Sequence, residues 1–490
     1  MNLHQDICQL LKDIGQGTMM STAYDTAWVA RLGGEMGEQA LDWLREHQLA
    51  DGGWGTRHIT YHHDRVICTL AAMTALAQRG HATNDHIRWQ RALAMLEAAI
   101  TGLHSDPAAT VGFEMIVPTL LAEAQALGIT LRGNSILHRL VSSRTAKLST
   151  LPGQLINRFV TMAHSAEMAG SDGLQLLDVQ NLQEVNGSIA YSPSATAFFV
   201  LNVQAGNQAA TKYLAGIIDN NGGVPNVAPF DMFERGWTLW NLAIIAHLDD
   251  DVLAMCQPHL DFMEKAWRPM KGIGFAAGYT PTDGDDTGMV YETLARFGRA
   301  PDLAAVLSYE ESDHYRCFAL EANPSISANI HILGALQQAG LSIQHGPFRK
   351  IIEFLRRTQT ARLFWFDKWH ASPYYTTAHA IITLAGCDAD TINDAAYWIL
   401  ETQNQEGSWG YYIPTAEETA YCLQALAIWK RHDGQVPTDV LKRGAVWLAD
   451  HIEPPYPPLW IGKCLYCPVL VVRSAILSAL ELVTQECGQW

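Results

Sequence analysis

The chain has 490 residues, 48% of them hydrophobic and 17% charged, with a formal net charge of −17. That acidity, with no Lys/Arg cluster to offset it, argues against binding a nucleic-acid backbone. The apolar share argues against disorder, and the length suggests two or three domains.

The first stretch, "MNLHQDICQLLKDIG", is amphipathic and carries Asp6 and Asp13. It lacks the basic start, long apolar run and small-residue cleavage site of a signal peptide. No run of 18 uncharged apolar residues follows, so no stable membrane insertion is expected. The nine cysteines are scattered, which suits a reducing cytoplasm. The one close pair, Cys464 and Cys467, has no second CxxC or nearby His to make a zinc site.

Helical periodicity dominates from there on. "VICTLAAMTALAQRG", "RALAMLEAAITGL", "VPTLLAEAQALGI", "ANIHILGALQQAG" and "TAYCLQALAIWKRH" place apolar residues at i, i+3, i+4 and i+7. "DNNGGVPNVAP" and "EPPYPPLW" mark loops, and strand-like alternation is scarce. The reading is all-α.

A degenerate repeat punctuates the helices. Gln48 to Trp54 and Gln403 to Trp409 both fit Q-x-x-x-G-x-W, and Gln183 to Ile189 keeps Gln and Gly. Such a motif can tie helical hairpins together. Gly permits a left-handed helix end, Gln satisfies orphan backbone groups, and Trp stacks on the neighbour. Hairpins stacked this way can close into a ring of inner and outer helices. Chance loop composition is the plain alternative.

"GYTPTDGDDTG" (Gly278 to Gly288) sets Asp283, Asp285 and Asp286 within four residues. The segment also reads as a helix start, with Thr282 or Asp283 as N-cap and Gly298 as stop. The acids could therefore merely cap a surface helix. An EF-hand is excluded, because position twelve counted from Asp283 is Leu294 and not an acid. Buried together, the acids could hold a proton at neutral pH, since burial and like charge both raise a carboxyl pKa. A protonated carboxyl in a dry site can protonate an alkene.

The Q-x-x-x-G-x-W repeats together with Asp-x-Asp-Asp resemble the class II terpene cyclases, the group of squalene–hopene cyclases and plant copalyl diphosphate synthases. "STAYDTAWVARL", "VGFEMIVPTLLAEAQALGI", "NGGVPNV", "DKWHASPYYTTAHA" and "LWIGKCLYCPVLVVRSAIL" are similar to family segments in the same order. The pattern is most similar to bacterial enzymes making halimadienyl- or kolavenyl-type diphosphates. The resemblance implies two α/α-barrel domains with the active site between them. Residues 1–16 would be an N-terminal helix of the β domain, 17–205 the γ domain and 206–490 the rest of the β domain. "HLDDDVLAM" has Leu253 where a DDxxD motif needs its last Asp, so the substrate should keep its diphosphate.

The resemblance also implies roles. Asp285 would be the proton donor, tuned by Asp283 and Asp286, with Asn329 and His331 as its partners. Trp365, Trp369, Tyr374 and Tyr375 would present aromatic faces to carbocations. His164 and Asn221 match a pair that holds a water base in plant enzymes. Lys271, Lys463 and Arg473 would bind the diphosphate. Mg2+ would bridge it to an acid of the γ domain, where only Asp106 and Glu114 remain, with Glu114 the candidate ligand. The expected substrate is geranylgeranyl diphosphate and the product a bicyclic diterpenyl diphosphate, with a downstream class I synthase or phosphatase to consume it. Alternatives are a copalyl product, farnesyl diphosphate cyclised to drimenyl diphosphate, or squalene cyclised to hopene. Beyond these lie a non-catalytic scaffold and a prenyltransferase β subunit, for which no zinc-ligand set is seen.

Overall fold

The computed structural model describes residues 2–17, 19–131, 135–488 and 490. Helix α1 (Leu3–Asp13) is capped by Asn2, whose side chain accepts the Gln5 N–H. A smaller barrel follows: α2 (Ala23–Ala30), α3 (Gly34–Glu46), α4 (His62–Arg79), α5 (Asp85–Gly102), α6 (Phe113–Ala126), α7 (Ser135–Thr150), α8 (Pro193–Asn202) and α9 (Gln208–Ile217). Helices α2, α4, α6 and α8 line its inside, and a 3-10 segment (Thr161–Ala169) closes the ring between α6 and α8.

The larger barrel runs through α10 (Asp231–Ala243), α11 (Asp250–Ala266), α12 (Gly284–Arg296), α13 (Leu303–Leu307), α14 (Ile326–Gln338), α15 (Gly346–Thr358), α16 (Pro373–Leu384), α17 (Ala389–Glu401), α18 (Ala416–Arg431), α19 (Thr438–Ala449) and α20 (Val469–Cys487). Its even-numbered helices touch in turn, and α20 returns to α10, so six inner helices form a closed ring. The composition of each layer explains its place. Every residue of α16 is buried, as befits a helix apolar all round. Helix α15 buries only one stripe, Phe348, Ile351, Ile352, Phe354 and Leu355, and turns Arg356 and Arg357 outward. Helix α1 packs on α11 and α20, so the first helix of the chain joins the outer layer of the last barrel. The all-α, two-barrel architecture is the one the sequence implied. Among the described residues the sheet is one hairpin, β1 (Trp460–Ile461) against β2 (Leu465–Tyr466).

The boundary drawn at 205/206 separates α8 from α9, which pack on each other. The loop after α9 also stays with the smaller barrel, because Thr22 N–H bonds Val224 O and Val224 N–H bonds Thr26 Oγ1. That barrel therefore extends to about Val224.

The Gln…Trp repeat proves to be one visible part of a wider latch. Trp54, Ile189, Val224, Ile273, Trp365 and Trp409 each donate their backbone N–H to a Thr Oγ1 on an inner helix: Thr69, Thr196, Thr26, Thr287, Thr377 and Thr419. Tyr315 donates in the same way to Asn329 Oδ1 at 2.8 Å. Each latch satisfies a buried donor that would otherwise cost about 1–3 kcal/mol. The Gln amides add a second tie. Gln403 Nε2 bonds both Gly407 O and Val440 O, and Gln48 does the same to Gly52 O and Arg88 O. Gly407 has φ 106°, and a Cβ there would meet the carbonyl oxygen of Arg443 at 2.4 Å, so glycine is required.

Candidate active site

Helix α12 begins where the three acids stand. Asp283 is its N-cap, and its carboxylate accepts the Asp286 N–H at 2.8 Å. Cys317 O takes the Gly284 N–H at 2.6 Å and pins the turn to the next hairpin. Glycine at 288 lets α14 come close, since a Cβ there would lie 2.9 Å from Ile332 N.

Of the flanking acids, Asp286 is buried and Asp283 half-buried. Burial, opposed by hydrogen bonds from Asp286, lifts Asp283 to about 7. Burial and the charge of Asp283 push Asp286 well above the usual carboxyl range. At neutral pH Asp286 therefore keeps its proton beside Asp283. Asp285, in the first turn of α12, is turned the other way. Its Oδ1 lies 2.5 Å from His331 Nδ1, and its side chain keeps 14% exposure where that of His331 keeps 1%. It is the acid of the three that meets a histidine.

Aromatic rings pack around this pair. Trp237 stands perpendicular to His331 at 5.4 Å and donates Nε1–H to Tyr375 Oη at 2.9 Å. Phe233 stacks on Trp237 at 3.8 Å, and Trp460 meets Phe233 edge-on at 5.1 Å. Tyr375 lies 4.8 Å from Trp460 and 5.2 Å from Tyr421. Such faces stabilise cations without offering a lone pair to trap them.

The neighbours of this architecture agree with its chemistry. Residues 317–450 match the squalene-hopene cyclase C-terminal domain family. Over 488 aligned residues, 96% of this chain and 97% of the relative, the chain is 46% identical to a type B diterpene cyclase of Mycobacterium tuberculosis. The chain belongs to the class II diterpene cyclases. It is 31% identical to the labda-7,13-dienyl diphosphate synthase of Streptomyces clavuligerus, covering 95% of this cyclase and 89% of that one. Its structure aligns with ent-copalyl diphosphate synthase from Streptomyces platensis at a TM-score of 0.80 and 28% identity, covering 98% of each chain. This protein is thus an enzyme, a class II terpene cyclase.

Several residues expected in the site of the cyclase are elsewhere. Asn329 does not reach Asp285, because its amide serves the latch, accepting Tyr315 N–H and donating to Tyr315 O and Ser325 O. Trp365 is another latch residue. It is fully buried, with Nε1–H on Leu355 O as Trp54 has on Leu44 O. Tyr374 faces the outer layer, stacked on Trp398 of α17 at 4.7 Å. Trp369 lies half-buried beside Phe318 at 6.1 Å, and of the four aromatics Tyr375 is the one whose ring meets His331, at 6.4 Å.

Lys463 is no free cation. Its ammonium is fully buried and bonds Glu167 Oε1 at 2.8 Å, Ser192 Oγ at 2.6 Å, His164 O at 2.9 Å, and Ser194 Oγ. The turn between β1 and β2 thus pins the two barrels together. Arg473 pairs with Glu453 at 3.6 Å. Lys271 is exposed in a cleft of about 470 Å³ with Arg268, Thr161, Thr280, Thr282 and Phe318, and neither Lys463 nor Arg473 lines that cleft.

His164 and Asn221 form no pair. Asn221 is exposed in a turn, its N–H on Asp219 Oδ1. His164 holds Ala190 O through Nδ1 at 3.2 Å, and burial with the charge of Lys463 lowers it to about 3, so its ring is neutral. The buried asparagine of that loop is Asn226, which donates to Asp25 Oδ2 and whose Oδ1 meets no protein donor among the described residues.

The two γ-domain acids considered for magnesium are both ion-paired. Glu114 is exposed and ion-paired with Lys147, while Asp106 is taken by His63 at 2.7 Å. Among the described residues, the clusters with three possible ligand atoms are His4–Cys8–Asp251 and Asp64–Cys68–Cys464, and neither contains Glu114. Mg2+ is ordinarily held by one or two carboxylates together with waters and substrate phosphates, so Glu114 would have to leave Lys147 to serve.

Sequence reasoning missed Trp237, Tyr421, Trp460 and His379. Phe233 and Trp237 were legible as an i, i+4 aromatic pair in "DMFERGWTLW". The others sit in segments read only as helix or as family likeness.

Proposed function

We propose that this cyclase takes geranylgeranyl diphosphate, protonates its terminal alkene from Asp285, closes two rings and releases a bicyclic diterpenyl diphosphate. The observation that carries this is the Asp285–His331 contact, the one acid of the triad facing a site walled by Trp237, Tyr375 and Trp460. The proton passes to the alkene carbon, the π electrons form the new C–H bond, and the O–H pair stays on Asp285 as carboxylate. The cation then migrates over aromatic faces in a site that excludes water. Loss of a proton ends the sequence.

The diphosphate is kept, because DDxxD is absent from the sequence. A class I synthase or a phosphatase would act next. The product is assigned to the rearranged kolavenyl or halimadienyl type, supported by the absence of a His164–Asn221 pair to end the reaction early. Copalyl diphosphate is the second reading, favoured by the likeness to ent-copalyl diphosphate synthase. The test is incubation with geranylgeranyl diphosphate and magnesium, dephosphorylation, and identification of the alcohol by mass spectrometry and NMR. A rearranged bicyclic skeleton is expected. A copalol skeleton would choose the second reading, and no turnover on any prenyl diphosphate would defeat both.

A further inference from the structure

Behind His331 stands a second imidazole. His331 Nε2, the nitrogen turned away from Asp285, lies 3.0 Å from Nδ1 of His379. Each ring is 1% exposed. Asp285, His331 and His379 come from α12, α14 and α16, so the chain of hydrogen bonds steps along three successive inner helices of the ring. His379 is firmly held. Trp240 stacks on it at 4.5 Å with 15° between the planes, and Tyr375 leans on it at 4.4 Å. Its own Nε2 is buried, and no protein group among the described residues bonds it. Burial, then the charges of His331 and His370, lower its pKa well below the ordinary value, so the ring is neutral.

His331 Nε2 and His379 Nδ1 share one hydrogen bond, so one nitrogen donates and the other accepts. If His331 carries its proton on Nδ1, it donates to Asp285, and its Nε2 needs a donor that His379 Nδ1–H supplies. If His331 donates from Nε2 instead, His379 must accept at Nδ1. That second arrangement also forces the His379 proton onto Nε2, a buried N–H with no protein acceptor, and such groups are rare.

We propose that His379 is a positioning residue that donates Nδ1–H to His331 and so fixes the His331 tautomer whose Nδ1–H faces Asp285. The inference rests on the reading of Asp285 as the acid. As the Asp285 proton leaves for the alkene, the His331 N–H stays on His331 and stabilises the carboxylate left behind.

The test compares His379→Phe with His379→Asn, whose amide nitrogen sits near the place of Nδ1. Phe should lower kcat by about tenfold or more with KM changed less than about twofold, as loss of a group that fixes a tautomer does. Asn should restore most of it. In protein carrying ¹⁵N-labelled histidine, His331, identified by the signals lost in His331→Gln, should report a protonated Nδ1. His379→Phe should turn it into a mixture. The proposal is overturned if wild-type His331 is protonated on Nε2, a measurement that needs no variant at position 379. It is equally overturned if Phe and Asn variants that melt like the wild type show equal kcat. Asp285→Asn runs in the same assay. If it keeps turnover, the acid reading falls, while the tautomer measurement still decides the lock on its own.

Discussion

Asp285 Oδ1 and His331 Nδ1 are 2.5 Å apart, on adjacent inner helices of a closed six-helix ring. The flanking Asp283 instead caps the turn by accepting the Asp286 N–H, and both flanking carboxyls are raised above their ordinary pKa. The triad thus divides into a pair in the turn and a separate acid beside His331. That division gives a pH signature. An acid whose folded pKa exceeds its unfolded value binds more protons when folded, so folding stability falls as pH rises between the two values. For Asp283 the window runs from its ordinary 3.8 up to about 7. Asp283→Asn keeps an N-cap acceptor but removes this titration. Its melting temperature should exceed that of the wild type at pH 8, with the advantage shrinking as pH falls toward 4. Calorimetry across that range checks it, and a constant difference would refute the assignment.

Lys463→Met should unfold the protein more easily by about 3–5 kcal/mol, because Glu167 is left buried and unpaired. Denaturant titration reads this directly. KM for the substrate should not change at temperatures where the variant is folded.

Lys271→Ala should show the opposite pattern. The side chain is exposed in the cleft shared with Arg268, so melting should stay near the wild-type value while KM rises. A rise of about tenfold corresponds to 1.4 kcal/mol of lost binding.

Thr377→Val removes the acceptor for the Trp365 N–H and should cost about 1–3 kcal/mol. Thr419→Val should cost about the same at Trp409. The two latches share no partner, so the double variant should be additive within about 0.5 kcal/mol. Marked non-additivity would show that the latches act as one unit.

These cases show what the sequence carried and what it hid. Helical periodicity and the Gln…Gly…Trp repeat disclosed barrels of paired helices, because both are local patterns. The latch was only partly legible. Its acceptor is a Thr or Asn seven to fifteen residues away in most repeats, and Val224 finds Thr26 far back in the chain. Trp365 looked like a cavity wall because its repeat has Leu363 where the pattern wants Gly. Asp283, Asp285 and Asp286 stood out as a cluster, yet which of them faces the site depends on the helix turn at Asp283. Lys463 and His379 were illegible as a pin and a partner, because their contacts lie on other elements: Glu167 across the barrels and His331 on the next inner helix.

The most direct measurement uses geranylgeranyl diphosphate in heavy water, with wild type and Asp285→Asn side by side and the alcohols analysed by mass spectrometry and NMR after dephosphorylation. The wild type should give a bicyclic alcohol with one deuterium in the gem-dimethyl region, and the variant should be folded and give none. Cyclisation by Asp285→Asn at the wild-type rate, or a wild-type product without that deuterium, would contradict the assignment of the proton to Asp285.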